Sequence, residues 1–327
     1  MKKMAAIVLN WRSPHDTICC IRSLLSLDVP LDILVVDNAS GDSSLKKIEE
    51  ALAAGQSEAL ERGMQYVIHS YDGTYPTDSG SSNLVLLVQA EKNGGYAYGN
   101  NIGLRIALAQ PDIEYFWILN SDTIVPYGSS LSELASRMED DERLGLCGST
   151  VVYLSRPDII QTQAGGRFYP ETGRSDQIGA GVKLDAQADQ ASVEKELSYV
   201  NGAAAFVRRS FLDEIGLMDE RYFLYFEELD WAFRAKGKFK LGYAPKSIVL
   251  HKVGGSIGTS DTEIRSPTST YYLTRSKLKF LTRFSKRSCP VFALDLLREI
   301  KFAIKIRSWQ NLKAIVYAVA GVPWKPQ

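Results

Sequence analysis

Apolar residues in the first half of the chain come in short unbroken runs, Met4–Leu9, Ile33–Val36, Leu84–Val88 and Phe116–Leu119, each closed by a polar residue. Runs of this length without alternation predict strands buried on both faces. The stretches Thr17–Leu27, Leu45–Leu60 and Asn101–Ala109 mix apolar and polar positions and predict helices, the last entered through a glycine-rich turn. Strands alternating with helices predict βαβ units around a mostly parallel sheet. Residues 71–83 (YDGTYPTDSGSSN) hold Gly, Ser and Asp punctuation and predict a mobile loop. Further on, 165–190 is Gly-rich and polar and predicts a loop or small hairpin, and Val200–Arg208 predicts a strand. Helices are expected over Leu224–Arg234, Ser269–Phe284 and Val291–Ile306. In the last of these, Arg298, Lys301 and Lys305 are read as one face and Ala293, Leu297, Ile300 and Ile304 as the other, an amphipathic pattern with a basic side.

Charge changes this picture. The 327 residues carry 38 Lys and Arg against 38 Asp and Glu, but the zero balance hides a split. Residues 271–327 hold twelve bases and two acids, a charge of +10, and the remaining chain is −10. Such asymmetry points to an anionic partner for the basic part. A hydrophobic content of 45% excludes wholesale disorder, and a chain of this length buries about 75% of its unfolded surface without needing disulfides. The cysteines Cys19, Cys20, Cys147 and Cys289 form no C-x-x-C pair, so a zinc site is not expected and a reduced, cytoplasmic setting fits. Asn10 interrupts the first apolar run too early for a signal-peptide core. The longest later run, Ala314–Trp324, is about half of a membrane span.

Ligands of open α/β sheets bind at the carboxyl ends of the strands. Three predicted strands end in polar groups there: Asn10-Trp11, Asp37-Asn38-Ala39-Ser40 and Asn120-Ser121-Asp122. Asp37 could accept from a base or a ribose hydroxyl, or merely cap its strand. In KNGGYAYGNNIG (92–103), Gly94, Gly95 and Gly99 permit close approach of backbone to a ligand, although neither the dinucleotide nor the P-loop template fits. Asp122 is the best candidate for a hard divalent cation, and His251 joins it only if folding brings the two together. Glu227, Glu228 and Asp230 form a carboxylate cluster. On a helix, 227 and 230 are near neighbours while 228 points about 100° away. Mutual repulsion would raise a pKa and suit a general base; a solvated acidic helix start is the alternative. The aromatics Tyr222, Phe223, Tyr225, Phe226 and Trp231 predict the wall of a pocket suited to sugar stacking.

Taken together, these motifs resemble the family-2 inverting glycosyltransferases of GT-A fold, nearest to their bacterial rhamnosyltransferase-like branch. The resemblance runs from about Ala5 to about Gly258. It rests on VLNW (8–11), VVDNASGD (35–42), NGGYAYGNNIG (93–103), LNSD (119–122), VNGAAAFVRR (200–209), GLMDERYFLYFEELDWAFR (216–234) and the H-x-x-G of 251–254, in the family's order. It implies a catalytic domain over 1–265, followed by a basic helical region over 266–327. Asn10, Asp37 and Asn38 would contact the nucleotide, with Asn93, Gly94, Gly95 and Asn100 against it. Asn120-Ser121-Asp122 stands at the family's Asp-x-Asp motif, so Asp122 and His251 would bind Mg²⁺ or Mn²⁺, with Asn120 in place of one carboxylate. Gly202, Ala203 and Trp231 would line the acceptor site. Glu228 would be the base at the second position of the family's Glu-Asp pair, with Asp230 the next choice and Glu227 beside it. The implied donor is deoxythymidine-diphosphate rhamnose, with a uridine-diphosphate hexose as the alternative. The implied acceptor is a saccharide or a lipid-diphosphate-linked saccharide in surface polysaccharide (O-antigen) synthesis. Residues 271–327 would then meet an anionic membrane surface at the inner face of the cell membrane, or else form a solvated basic helical subdomain that packs on the catalytic domain or makes an oligomer contact. A non-catalytic nucleotide-sugar-binding protein is the rival reading. The basic tail carries no nucleic-acid-binding motif.

Overall fold

The computed structural model describes residues 2–61, 64–76, 83–252, 265–285 and 288–324. The elements of the first half are β1 (Lys3–Asn10), α1 (Pro14–Leu25), β2 (Asp32–Asp37), α2 (Ser44–Glu61), β3 (Tyr66–Ser70), β4 (Asn83–Gln89), α3 (Tyr96–Leu108), β5 (Ile113–Asn120), β6 (Thr123–Ile124) and α4 (Ser130–Asp140). Then come β7 (Leu144–Tyr153), β8 (Arg156–Gln163), β9 (Gly165–Tyr169), β10 (Arg174–Gln177), α5 (Gln190–Glu196), β11 (Tyr199–Val200), β12 (Ala204–Arg208), α6 (Arg209–Ile215), α7 (Glu227–Ala235) and β13 (Lys240–His251). Three helices follow: α8 (Pro267–Phe284), α9 (Ser288–Lys305) and α10 (Trp309–Ala320).

The main sheet runs β3-β4-β2-β1-β5-β12-β7-β13-β6, with β8 added beside β7. Its first five strands are parallel, and β12 is inserted antiparallel between β5 and β7. The unbroken apolar runs follow from cover on both faces. Met4, Ala6 and Val8 pack under α1, α2 and α4, while Ala5 and Ile7 pack under α3, α6 and α7. A hairpin of β9 and β10, extended by β11, occupies the 165–190 region as a small second sheet.

Two expectations are corrected. Helix α3 starts at Tyr96 rather than Asn101, because Gly99 and Gly103 lie against Leu9 and Ile7 and let the helix sit close on the sheet. The predicted strand Val200–Arg208 is split at Asn201-Gly202-Ala203 into β11 and β12. Of the predicted loop 71–83, residues 77–82 lie outside the described residues. Tyr75 in its described part is buried and donates to Asp32 at 2.6 Å.

The C-terminal helices close a third cluster over the second half. Phe280 of α8 places its ring 5.1 Å from Phe168, 5.3 Å from Phe226 and 5.0 Å from Phe233. In α9 the packed positions are Val291, Phe292, Asp295 and Ala303. Leu297 and Ile304, read from sequence as part of a separate apolar face, are instead exposed beside the basic residues. The reason is angular: at 100° per residue the two sets lie side by side on the wheel, not opposite. No helix among the described residues is long and apolar enough to cross a membrane. Truncation of the Phe280 ring, Phe280→Ala, should lower stability by about 3–5 kcal/mol in denaturant melts, because the surrounding rings cannot close over the space.

Candidate active site

Strand order determines which residues meet. β1 and β2 are parallel with Asn10 opposite Asp37, so both polar ends fall at one edge of the sheet. β12 pairs with β5 so that Ala204 faces Leu119, which puts Gly202 and Ala203 beside Asn120; Asn120 N–H donates to the Ala203 carbonyl at 3.1 Å. β13 pairs with β6 so that His251 faces Thr123, one residue from Asp122. This register brings together a histidine and an aspartate 129 positions apart, as the sequence reading required.

At the first corner, the Asp37 carboxylate is buried and accepts four hydrogen bonds: from Asn10 Nδ2 (2.6 Å), Ser40 Oγ (2.5 Å), Ser40 N (3.0 Å) and Gln89 Nε2 (3.0 Å). Asn10 in turn accepts from the Thr17 hydroxyl. Four donors fill a carboxylate's usual capacity. Asp37 therefore organises this corner, and a nucleoside would have to exchange with one of these partners to contact it. An open pocket of about 450 Å³ adjoins it, lined by Ser43, Ser44, Lys46 and Gln89 among others. Gln89 is a residue that the sequence reading passed over.

The glycine-rich turn is packed tightly against the protein's own chain. Asn38 Nδ2 donates to Asn93 Oδ1 and to the Gly95 carbonyl, both at 3.1 Å, which ties the turn to β2. A Cβ on Gly94 would strike the Tyr98 ring. One on Gly95, at φ +91°, would lie 2.2 Å from the Phe223 carbonyl oxygen. The close approaches are thus to Tyr98 for Gly94 and to the Phe223 backbone for Gly95. Tyr96 N–H confirms the contact by donating to Phe223 O at 2.8 Å. Asn100 is buried and donates to Tyr96 O, and its own Oδ1 has no partner among the described residues.

At the second corner, His251 Nδ1 lies 2.9 Å from Gln161 Oε1. An amide oxygen only accepts, so Nδ1 donates to it and the ring is held with Nε2 toward β5. Nε2 stands 3.3 Å from Asp122 Oδ1 and 3.4 Å from Asn120 Nδ2. An imidazole nitrogen beside an aspartate oxygen, with the histidine oriented from behind by Gln161, is a pair of side chains that could share a cation. Ser121 is buried between them in sequence. Among the described residues no group of three or more His, Cys, Asp and Glu side chains gathers to hold a metal alone. A cation held by Asp122 and His251 would therefore take its further ligands from elsewhere, water among them.

The third corner is the start of α7. Tyr225 and Phe226 are both left-handed (φ 66° and 72°), and this bend delivers Glu227 and Glu228 as the first helical residues. Each carboxylate has a buried Oε2 without a hydrogen-bond partner among the described residues. Burial pushes the Glu228 carboxyl up to about 6. Glu227 is raised further, first by burial and then by the charge of Glu228. Tyr96 marks where the corners converge. Its hydroxyl donates to Gly202 O at 2.6 Å, and its pKa is raised by burial, by Glu227 and Glu228, and by Asp122. Sequence reading had placed Tyr96 only inside a turn; its spacing carried no sign of this position.

Two predicted site residues are placed elsewhere. Asp230 is fully buried and saturated, accepting from Arg234 Nε (2.8 Å), Arg283 Nη1 (2.7 Å) and Tyr222 OH (3.2 Å). Two guanidinium partners make it an anchor rather than a free base. Trp231 is in the core, donating from Nε1 to Gly216 O and meeting Phe211 edge-on at 5.2 Å, so it lines no acceptor pocket. The neighbouring aromatics are likewise engaged: Phe223 stacks on Tyr272 at 4.5 Å, and Tyr225 OH donates to Ser269 Oγ.

Residues 75–216 match the family described as glycosyl transferase family 2. The low-salt glycan biosynthesis hexosyltransferase Agl10 of Haloferax volcanii is 24% identical over 238 residues, 71% of this chain and 61% of that protein. The N-acetylglucosaminyl-diphospho-decaprenol L-rhamnosyltransferase of Mycobacterium tuberculosis is 36% identical over 66 residues, 20% of this chain and 22% of that protein. The chain thus spans under two thirds of the length of the curated relatives it matches. Among solved structures, the mannosyltransferase PcManGT from Pyrobaculum calidifontis, in complex with GDP-Man and Mn²⁺, superposes with a TM-score of 0.56 at 13% identity, covering 100% of this chain and 88% of that one. S. aureus TarS 1-349 in complex with UDP-GlcNAc gives 0.54 at 16% identity, covering 98% of this chain and 82% of that one. The main sheet, its flanking helices and the matched segment agree: residues 75–216 match the description of glycosyl transferase family 2, and the chain carries the GT-A fold.

Proposed function

We propose that the protein is an inverting, nucleotide-sugar-dependent glycosyltransferase with Glu228 as general base. The observation that carries this reading is the pair of carboxylates at the start of α7, each with a buried Oε2 that has no hydrogen-bond partner among the described residues, which share the surroundings of Tyr96 with Asp122. A buried carboxyl with its pKa near 6 is largely ionised at neutral pH and a stronger base than a solvated one. In the proposed reaction an acceptor hydroxyl attacks the anomeric carbon while Glu228 takes its proton. The bond from that carbon to the nucleoside diphosphate breaks on the opposite face, so one displacement inverts the configuration. Glu227 sits beside the base, and the charge of Glu228 helps hold the Glu227 carboxyl protonated.

Asn10, Asp37, Asn38 and the pocket beside Gln89 are the proposed nucleoside side, with Asn93 to Gly95 and Asn100 holding the turn above it. The backbone of Gly202 and Ala203 borders the proposed acceptor path. Asp122 and His251 would hold Mg²⁺ or Mn²⁺, which when bound supplies Lewis-acid stabilisation of the leaving diphosphate. The GDP-Man and Mn²⁺ named for the mannosyltransferase structure, and the UDP-GlcNAc named for TarS, support a nucleotide-sugar donor and a divalent cation. The partial likeness to a diphospho-decaprenol rhamnosyltransferase supports a rhamnose donor and a lipid-diphosphate-linked acceptor, with a uridine-diphosphate hexose as second choice of donor. That acceptor class places the chain in the cytoplasm at the inner membrane face. Within this scheme 1–265 is the catalytic domain and 266–327 a helical region that braces it.

Glu228→Gln should reduce transfer by about 10²–10⁴-fold while binding of the nucleoside diphosphate, read by calorimetry, stays within about twofold. Retention of near-native turnover would remove Glu228 from the chemistry. Asp122→Ala should weaken that binding in the presence of Mn²⁺ and abolish its response to chelator. The raised pKa also acts on folding. Because the folded protein holds the Glu228 proton up to about pH 6 and the unfolded chain releases it near 4.5, stability contributed by this group falls as pH rises through that window. Glu228→Gln should remove that fall, so that stability drops less between pH 4.5 and 7 in the variant than in the parent, read from paired denaturant titrations at the two pH values.

A further inference from the structure

The outward side of the C-terminal helices is apolar and basic at once. Leu294, Leu297 and Ile304 of α9 are 56%, 53% and 56% exposed, and Trp309 at the start of α10 is 75% exposed. Val316 and Val319 continue the exposed apolar positions along α10. Single exposed apolar residues are ordinary, but a run of them on the outer faces of two consecutive helices is not. Around the wheel of α9, Lys301 lies about 40° from Leu297, and Lys305 and Arg298 lie close to Leu294. All three bases are exposed, as are Arg307 and Lys313 nearby.

The acids of this region face the other way. Asp295 is buried against Lys277 of α8 at 2.6 Å, and Glu299 pairs with Arg265 at 3.3 Å. These are the two acids of residues 271–327, so the outer face presents cations alone. A second copy docking face to face here would oppose like charges. A surface that is negatively charged and accepts apolar side chains just beneath that charge complements both properties. The aromatic side chains of α8 do not take part, since Tyr272, Phe280 and Phe284 pack inward on Phe223 and Phe233.

We infer that the outer faces of α9 and the start of α10 dock this protein on an anionic lipid bilayer. The helices would lie in the plane of the interface with Leu294, Leu297, Ile304 and Trp309 inserted among the acyl chains. Arg298, Lys301, Lys305 and Lys313 would sit at the level of the lipid phosphates. Tryptophan is suited to that boundary because its ring is apolar and its N–H is polar. Attachment of this kind needs apolar insertion and charge attraction together, and needs no spanning helix. The inference stands on these exposed faces and does not depend on the reaction proposed for the distant carboxylates.

Co-sedimentation of the full chain with vesicles tests it, using phosphatidylcholine alone and phosphatidylcholine mixed with phosphatidylglycerol, at about 50 mM salt where screening is weak. The protein should pellet with the mixed vesicles and stay in solution with the neutral ones. The double variants Leu297→Ser/Ile304→Ser and Lys301→Glu/Lys305→Glu should each lower the bound fraction by about tenfold, with unchanged circular dichroism and melting, because all four side chains are exposed. Failure to pellet with the mixed vesicles would overturn the inference, as would binding that neither variant reduces. A stable dimer in sedimentation velocity that Leu297→Ser/Ile304→Ser dissolves would also overturn it, assigning the face to a second copy.

Discussion

Everything in the candidate site depends on keeping two adjacent carboxylates buried at the start of α7. Desolvation works against both, and the charge of Glu228 also works against ionisation of Glu227. Such a pair persists only where the surrounding structure holds the helix by other means. α7 is held on its remaining sides. Trp231 locks it to Phe211 and to the Gly216 carbonyl, Asp230 binds Arg234 within the helix and Arg283 across from α8, and Phe226 sits in the ring cluster around Phe280. The left-handed pair Tyr225 and Phe226 turns the chain so that the first helical residues face the strand ends. Backbone hydrogen bonding at the helix start offsets part of the unfavourable burial.

The same arrangement explains why the glycine turn is built as it is. Gly95 has no room for a Cβ because the backbone of Phe223 passes there, and Phe223 lies just ahead of the bend that aims Glu227. Asn38 grips the turn from the end of β2. A continuous path of contacts therefore joins the corner at Asp37 to the carboxylates of α7, through Asn38, Gly95 and Phe223. The turn acts as a spacer between two corners of the site, and its glycines set how closely those corners approach.

The sheet was legible in the sequence because its central parallel strands are buried on both faces and so appear as unbroken apolar runs. The site was legible where a polar residue ended such a run, as with Asn10, Asp37 and Asp122. It was obscured where identity depends on a partner far along the chain. Asp230 reads as one more acid near Glu227 and Glu228 until Arg283 is seen to arrive from α8. Trp231 and the aromatics before it read as a pocket wall, yet their partners are Phe211, Tyr272 and Phe280, which no local pattern connects to them. Gln161 and Gln89 carried no signal at all, since an amide that orients a histidine or an aspartate looks like any surface glutamine. The strands β7 and β13 went unread for a similar reason: their glycines and polar residues interrupt the apolar run, although both are largely buried.

The charge split can now be resolved residue by residue. Part of the C-terminal basic excess is internal: Lys277 neutralises Asp295, and Arg283 binds Asp219 and Asp230 of the acidic body. Those contacts brace α7 and belong to the fold. Arg275 and Lys279 are half-buried and donate to backbone carbonyls, whereas Arg298, Lys301, Lys305, Arg307 and Lys313 are exposed and meet no acid among the described residues; Lys286, Arg287 and Lys325 lie outside them. The wheel of α9 makes this division unavoidable. With Phe292, Asp295 and Ala303 packed inward, the exposed leucines and the lysines beside them must face outward together. One helical region thus serves two surfaces, an inner one that fixes the geometry of the carboxylates and an outer one whose charge and apolarity select what the protein rests on.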